Sequence, residues 1–228
     1  MSAAPHGTLL ERLDRIDRRW IFLMMAVAVA APIIYVGVTG KTFPEKATPA
    51  VQGAFDAIEA LPEGSKVLVS FDYDPASAGE LQPMATAFVH HCALRHLRVY
   101  GMALWATGSP LVSSTFGDVL GGDPWYRYGE TYCDLGYQAG NEGVMKQMLS
   151  DVPKAFPNDS KGTPVAQVPM MRGIQRIEDF DLLVSVSAGS PGSKEWIQYA
   201  VSSTLTGKRP LRFLTGTTGV QKIGRGHV

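Results

Sequence analysis

Two aspartates, Asp72 and Asp74, follow the apolar run KVLVSF with a single tyrosine between them. Carboxylates so spaced at a strand end can hold Mg²⁺, and one of them can then attack a phosphoryl group as a nucleophile. A plainer use competes with that chemistry. Asp74-Pro75 starts a turn, and an aspartate ahead of a helix caps it. The turn-and-cap reading is preferred, because the late apolar runs end in VSVSAG and LTGTTG and supply no second acidic pair.

Small polar residues gather after the other apolar runs: Thr107 and Ser109, then Ser187, Gly189 and Ser190, then Thr215 and Thr217. In open parallel sheets ligands bind outside the carboxyl ends of the strands, where backbone N–H groups of glycine-rich loops can face a polar or anionic group. With Asp72 and Asp74, these are the candidate ligand residues. Ordinary turn chemistry accounts for the same residues and is the competing reading. Ser187 lies outside any Gly-x-Ser-x-Gly elbow, since Ser185 stands where a glycine would be needed.

His90, His91 and His96 share one helical stretch, but no two are four apart, so no helical metal pair forms. Cys92 and Cys133 have no metal spacing; they can form a bridge or remain two buried thiols. Asp134 and Glu142 flank a weak strand without an evident partner. The sequence calls for no metal and no cofactor. Trp125, Tyr126, Arg127 and Tyr128 form an aromatic loop of the residue types that anchor protein interfaces, and they are the candidate partner contacts. Folding back onto the same domain is the alternative for them.

The elements that must position these groups are legible in part. Thr48 and Pro49 open a helix with Val51, Phe55 and Ile58 on one stripe, and Pro62-Glu63-Gly64 ends it. KVLVSFDYD, residues 66–74, reads as a buried strand, and Ser77-x-x-Glu80 as a capping box for a helix reaching about His96. A second strand covers roughly 97–106. Residues 108–130 read as a long loop with at most a short helix. TYCDLGYQAG is a weak third strand, and NEGVMKQMLSDV a helix with Val144, Met148 and Val152 on one face. FPNDSKGTPVAQVP is punctuated like a surface loop, and GIQRIEDF reads as a short helix. DLLVSVSAG is a strand, KEWIQYAVSSTL a helix and LRFLTGTTG a last strand. Strands alternating with helices argue for βαβ units: a three-layer α/β fold with a mainly parallel, Rossmann-like sheet.

From Trp20 to Gly40 no residue is charged. At about 1.5 Å per residue the run reaches about 30 Å, the thickness of bilayer hydrocarbon. Trp20 and Tyr35 stand near its ends, where amphipathic rings favour the interface, and Pro32 would kink the helix without preventing a span. A cleaved signal competes, because Ala28-Val29-Ala30 has the small-x-small form and Arg18-Arg19 loosely resembles a twin-arginine signal. The apolar run continues past that point to Val36, as an uncleaved anchor should. A buried core helix would seldom be uncharged on every face. Arg12, Arg15, Arg18 and Arg19 precede the run while Lys41 and Lys46 follow it, so the positive-inside rule leaves the N-terminus in the cytoplasm. Residues 9, 10, 13 and 16 give the tail a helical apolar spacing. The organisation read from this is a cytoplasmic amphipathic tail at 1–19, a transmembrane helix at 20–40, a linker at 41–47 and an extracytoplasmic α/β domain at 48–228, held at the inner membrane by a single pass.

Lys+Arg and Asp+Glu are both 21, so the chain lacks the basic excess that phosphate binding calls for, and nucleic acid is an unexpected partner. The stretches VLVSFDYDPASAGELQPM, DLGYQAGNEGVM and FDLLVSVSAGSPG resemble a group of prokaryotic membrane-anchored α/β proteins to which no activity is assigned. That resemblance implies the architecture and transfers no catalytic residue; QKIGRGHV ends sooner than the group's pattern. A separate, partial likeness ties Asp72-Tyr73-Asp74 to haloacid-dehalogenase phosphatases, which want Thr or Val where Ala76 stands. The function these features point to is a non-catalytic accessory or assembly subunit of a larger membrane complex, with the bilayer and other membrane-protein subunits as partners. The alternatives are extracytoplasmic binding of a small polar or anionic ligand and a Mg²⁺-dependent phosphatase.

Overall fold

The sequence alternates short apolar runs with amphipathic ones, and the structure, a computed structural model, resolves that alternation into strands and helices. It describes residues 17–40, 46–205, 207 and 209–219. The amphipathic tail at residues 9–16 and the terminal QKIGRGHV lie outside the described residues. By contact density the chain divides into two units, Met1–Thr48 and Pro49–Val228.

The first unit carries helix α1, Arg18–Thr39, which is long and apolar enough to cross a membrane and buries none of its side chains. Its start is capped by Asp17, whose carboxylate accepts from Arg19 N at 2.9 Å. Gly40, at φ +63°, ends it in the left-handed conformation that glycine adopts without penalty.

The second unit is an α/β fold around five parallel strands: β1 (Lys66–Asp72), β2 (Arg98–Ala103), β3 (Tyr132–Tyr137), β4 (Leu182–Ser187) and β5 (Arg212–Thr217). They lie in the order β3-β2-β1-β4-β5. Side chains alternate across the sheet as the strand period demands. Val67, Val69 and Phe71 enter one core with Ile58, Val89 and Phe116; Leu68 enters another with Met102, Met148 and Trp196. Helices therefore cover both faces, which is why the central strands read as mostly apolar runs broken by small buried serines. On the first face lie α2 (Pro49–Glu59), α3 (Ala78–Leu94) and α4 (Ser109–Leu120). On the second lie α5 (Glu142–Met148), α6 (Val152–Ala155) and α7 (Ser193–Glu195), which continues through a π-helical segment, Trp196–Val201.

Several local expectations are corrected. Residues 109–120, expected as loop with at most a short helix, form the 12-residue α4: Val112, Phe116 and Leu120 recur every fourth residue and are buried, and this tertiary gain overrides a composition rich in Ser and Gly. The close approach requires Gly101 in β2, where an added Cβ would stand 2.4 Å from Val112 Cγ1. The helix expected over 141–152 breaks after Met148, although Val144, Met148 and Val152 all reach the core. The stretch 156–169 is no mere surface loop, because Phe156, Val165 and Val168 are buried in the second core. GIQRIEDF yields only a 3₁₀ turn at Ile177–Asp179. Ser77 does not close a capping box, since its side chain makes no cap hydrogen bond. On α2 only Ile58 of the expected stripe is buried, while Val51 and Phe55 stay exposed.

Candidate functional site

Asp72 ends β1, in register with Ser187 at the end of β4. Its side chain is fully buried and accepts three hydrogen bonds: from Ser70 Oγ at 2.6 Å, Leu104 N at 2.8 Å and Trp196 Nε1 at 3.1 Å. Burial pushes its carboxyl up to about 6, against the pull of those three donors, and the charge of Glu195 adds to the rise. Asp74 has another task. Its Oδ1 accepts from Ser77 N at 2.9 Å, and its hydrogen bonds to Ser77 hold the carboxyl below the usual range. The turn ahead of α3 is thus held by Asp74. A nucleophilic Asp72 would have to shed internal donors before meeting a substrate.

A hydroxyl cluster fills the space between β4, β5 and the start of α7. Ser193 Oγ meets Ser187 Oγ at 2.8 Å, Ser185 Oγ at 3.3 Å and the hydroxyl of Thr215. Ser193 N also donates to Ser187 Oγ at 3.1 Å. Ser187 is therefore held by hydroxyl and amide groups, with Thr217 beside it in register on β5. Next to the cluster, Glu195 Oε2 accepts from Gly192 N at 2.9 Å and fixes the start of α7.

Between β1 and β4 the strand order reverses, and the loops after β2 and β4 meet there. Trp105 Nε1 donates to Pro191 O at 2.9 Å, and its ring lies over Gly189, where an added Cβ would stand 3.3 Å from the indole. Thr107 and Ser190 are exposed at these loops, and Thr107 Oγ1 reaches Tyr73 O at 3.5 Å. Gly108 packs so tightly that an added Cβ would lie 2.0 Å from Phe71 O.

Ser109 serves a different place. With Gln138, Asn158 and Asp159 it lines a depression of about 330 Å³ beyond the end of β3. A register shift between β2 and β3 and Gly136, at φ +78°, swing the chain outward there. Asp134, without an evident partner in the sequence, accepts from Ser113 Oγ at 2.7 Å and Gly136 N at 2.9 Å, and burial raises its carboxyl.

The aromatic loop divides between interior and surface. Tyr126 is buried, its hydroxyl donating to Leu97 O at 2.8 Å and Cys92 O at 3.1 Å, so it is spent on its own domain. Tyr128 donates to Asp159 Oδ2 at 2.9 Å. Trp125 and Arg127 instead line a cavity of about 720 Å³ with Glu63 and Arg98, at the amino end of the sheet. Trp125 stacks on His96 with ring centroids 5.1 Å apart, and Arg127 pairs with Glu130 at 2.8 Å.

Ser70, Trp105, Ser193 and Trp196 are the site residues that the sequence did not announce. The available signal was the two-residue strand period placing Ser70 beside Asp72; nothing local links Asp72 to Trp196. Comparison of the chain with protein-family models, curated proteins and solved structures gives no match.

Proposed function

We propose that the chain is a single-pass inner-membrane protein whose domain at 48–228 lies outside the cytoplasm and serves as a non-catalytic accessory or assembly subunit of a membrane complex. The observation that carries the non-catalytic reading is the fate of the groups best placed for chemistry: Asp72, Ser187 and Thr215 are spent on internal hydrogen bonds. The anchor rests on α1, whose apolar side chains lie exposed along its length. Arginines before the helix favour a cytoplasmic N-terminus. Trp125 and Arg127, accessible at the amino edge of the sheet, are the residue types a partner subunit would engage. Gentle detergent extraction followed by native mass measurement tests the assembly role. The expected result is a particle heavier than the chain alone; a lone monomer across every detergent and salt condition would overturn it.

A second reading has its own support. The order β3-β2-β1-β4-β5 favours a Rossmann-like sheet, and its reversal between β1 and β4 is where such folds take ligands. Thr107, Gly189 and Ser190 would then line the mouth of a small-ligand crevice. Thermal-shift measurement of the full chain against nucleotides, phosphate and amino acids addresses this, and no shift across the panel would count against it.

A further inference from the structure

The depression beyond the end of β3 has walls that are fixed and side chains that are not used. Gln138 N donates to Ala103 O at 3.1 Å, Ser160 N donates to Asp134 O at 2.8 Å, and Asn158 pairs with Pro164 in an isolated antiparallel bridge. Asp159 locks the rim by accepting from Thr163 N at 2.7 Å, Lys161 N at 2.9 Å and the Tyr128 hydroxyl. Among the described residues, by contrast, the amides of Gln138 and Asn158 and the hydroxyl of Ser109 have no hydrogen-bond partner. Beside them the ring of Tyr137 is 43% exposed, without a ring contact among the described residues.

The composition of this lining selects a chemistry. Each primary amide offers two donors and an acceptor side by side, a set that matches vicinal hydroxyls, which donate and accept at once. An accessible aromatic face suits the apolar C–H face that a sugar ring presents opposite its hydroxyls. The charged side chain in the wall is the carboxylate of Asp159, which disfavours an anion. The neighbouring cation, Lys161, is engaged over the Tyr128 ring, 3.4 Å from its centroid. At about 330 Å³ the space lies at the small end of ligand sites.

We infer that this depression is a binding site for a neutral polyhydroxylated ligand of monosaccharide size, with Gln138 and Asn158 reading its hydroxyls and Tyr137 stacking on its ring. The site is separate from the loops at the β1–β4 reversal and independent of the assembly role, which native mass reads. Because the backbone beneath these groups is already held by Ala103 O, Asp134 O and Asp159, binding has to order only the side chains themselves.

The test is isothermal titration of the full chain, in a detergent without a sugar headgroup, with glucose, galactose, mannose and N-acetylglucosamine, and with inorganic phosphate and citrate as anionic counterparts. At least one neutral sugar should bind in the millimolar range or better, and the anions should not. Gln138→Ala and Asn158→Ala should each weaken that sugar about fivefold to tenfold, the loss of one or two hydrogen bonds. Tyr137→Ala should do the same while Tyr137→Phe retains binding. These side chains lie at the surface, so an unchanged unfolding temperature will confirm that each variant folds. Absence of binding by every sugar, binding of the anions instead, or indifference to the Gln138 and Asn158 variants would overturn the proposal. Loss of the sugar on Thr107→Val but not on Gln138→Ala would move the ligand to the strand reversal and overturn it equally.

Discussion

The indole of Trp196 donates to the buried carboxylate of Asp72 at 3.1 Å, across a separation of 124 residues. The bond ties the end of β1 to the π-helical segment that follows β4, beneath the loops of the strand reversal. Removing the acceptor would leave Leu104 N, Trp196 Nε1 and the Ser70 hydroxyl competing for nothing in a dry interior. Asp72→Ala should therefore lower the unfolding free energy by about 3 kcal/mol or more, seen as a lower unfolding temperature of the full chain in detergent.

The same carboxylate sets a pH dependence. Its folded-state value, about 6, lies above the ordinary 3.8, so between these limits the folded chain holds the proton more tightly than the unfolded chain does. Stability contributed by this group should fall as pH rises through that window, by about 3 kcal/mol in all, and be flat above it. Asp72→Asn, neutral throughout, should remove this part of the profile in denaturant titrations at stepped pH. A wild-type profile that rises between pH 4 and 6, and is unaltered in Asp72→Asn, would contradict the assignment.

Two glycines of the α4 region make opposite predictions. An added Cβ at Gly108 would lie 2.0 Å from the Phe71 carbonyl, so Gly108→Ala should force the helix start away from β1 and cost about 2 kcal/mol or more. At Gly117, inside α4, nothing lies within 4 Å, and Gly117→Ala should stabilise by about 0.5–1 kcal/mol through helix propensity. Urea midpoints of the two variants, measured together, check both signs.

Cys92 and Cys133 are free, buried thiols, each pushed up to about 12 chiefly by burial. At pH 8 only about one in ten thousand would be a thiolate. Iodoacetamide should leave both unlabelled in the native chain and label both in urea, as read by intact mass. Rapid native labelling of either would mean that its core opens.

Under the proposed anchoring, α1 should hold the chain in the membrane. An arginine at the centre of a spanning helix costs about 2.5–3.5 kcal/mol on insertion scales, so Val29→Arg should shift the chain out of the membrane pellet while Val29→Leu should not. Alkaline phosphatase fused after Val228 should be active in a bacterial host. An inactive fusion, paired with a fluorescent cytoplasmic reporter at the same position, would reverse the orientation.

How much of this could be read beforehand depends on the range over which each signal acts. β1 and β4 were plain, because a strand covered on both faces is apolar along most of its length, as VLVSF and LLVSVS are apart from their serines. The turn that Asp74 starts was equally local, its carboxylate accepting from Ser77 N. α4 was missed because its Ser, Gly and Pro content masks a four-residue spacing of Val112, Phe116 and Leu120. The buried stretch at 156–169 was missed because its glycines and prolines are real turns, yet the turns carry Phe156, Val165 and Val168 into the core. The setting of Asp72 was legible only at Ser70, two residues away on the same strand; its other donors come from positions 104 and 196, and only the folded sheet brings these to it.

The chain has four tryptophans, and the fold assigns each to a different neighbourhood. Trp20 stands exposed on α1, Trp105 spans the strand reversal, Trp125 faces the cavity at the amino edge, and Trp196 is sealed beside Asp72. Indole emission shifts with the polarity of its surroundings, so the protein carries one intrinsic optical reporter per region. Versions retaining a single tryptophan would let changes at α1, at the strand reversal, at the amino-edge cavity and in the core be followed separately within one molecule, without an attached dye.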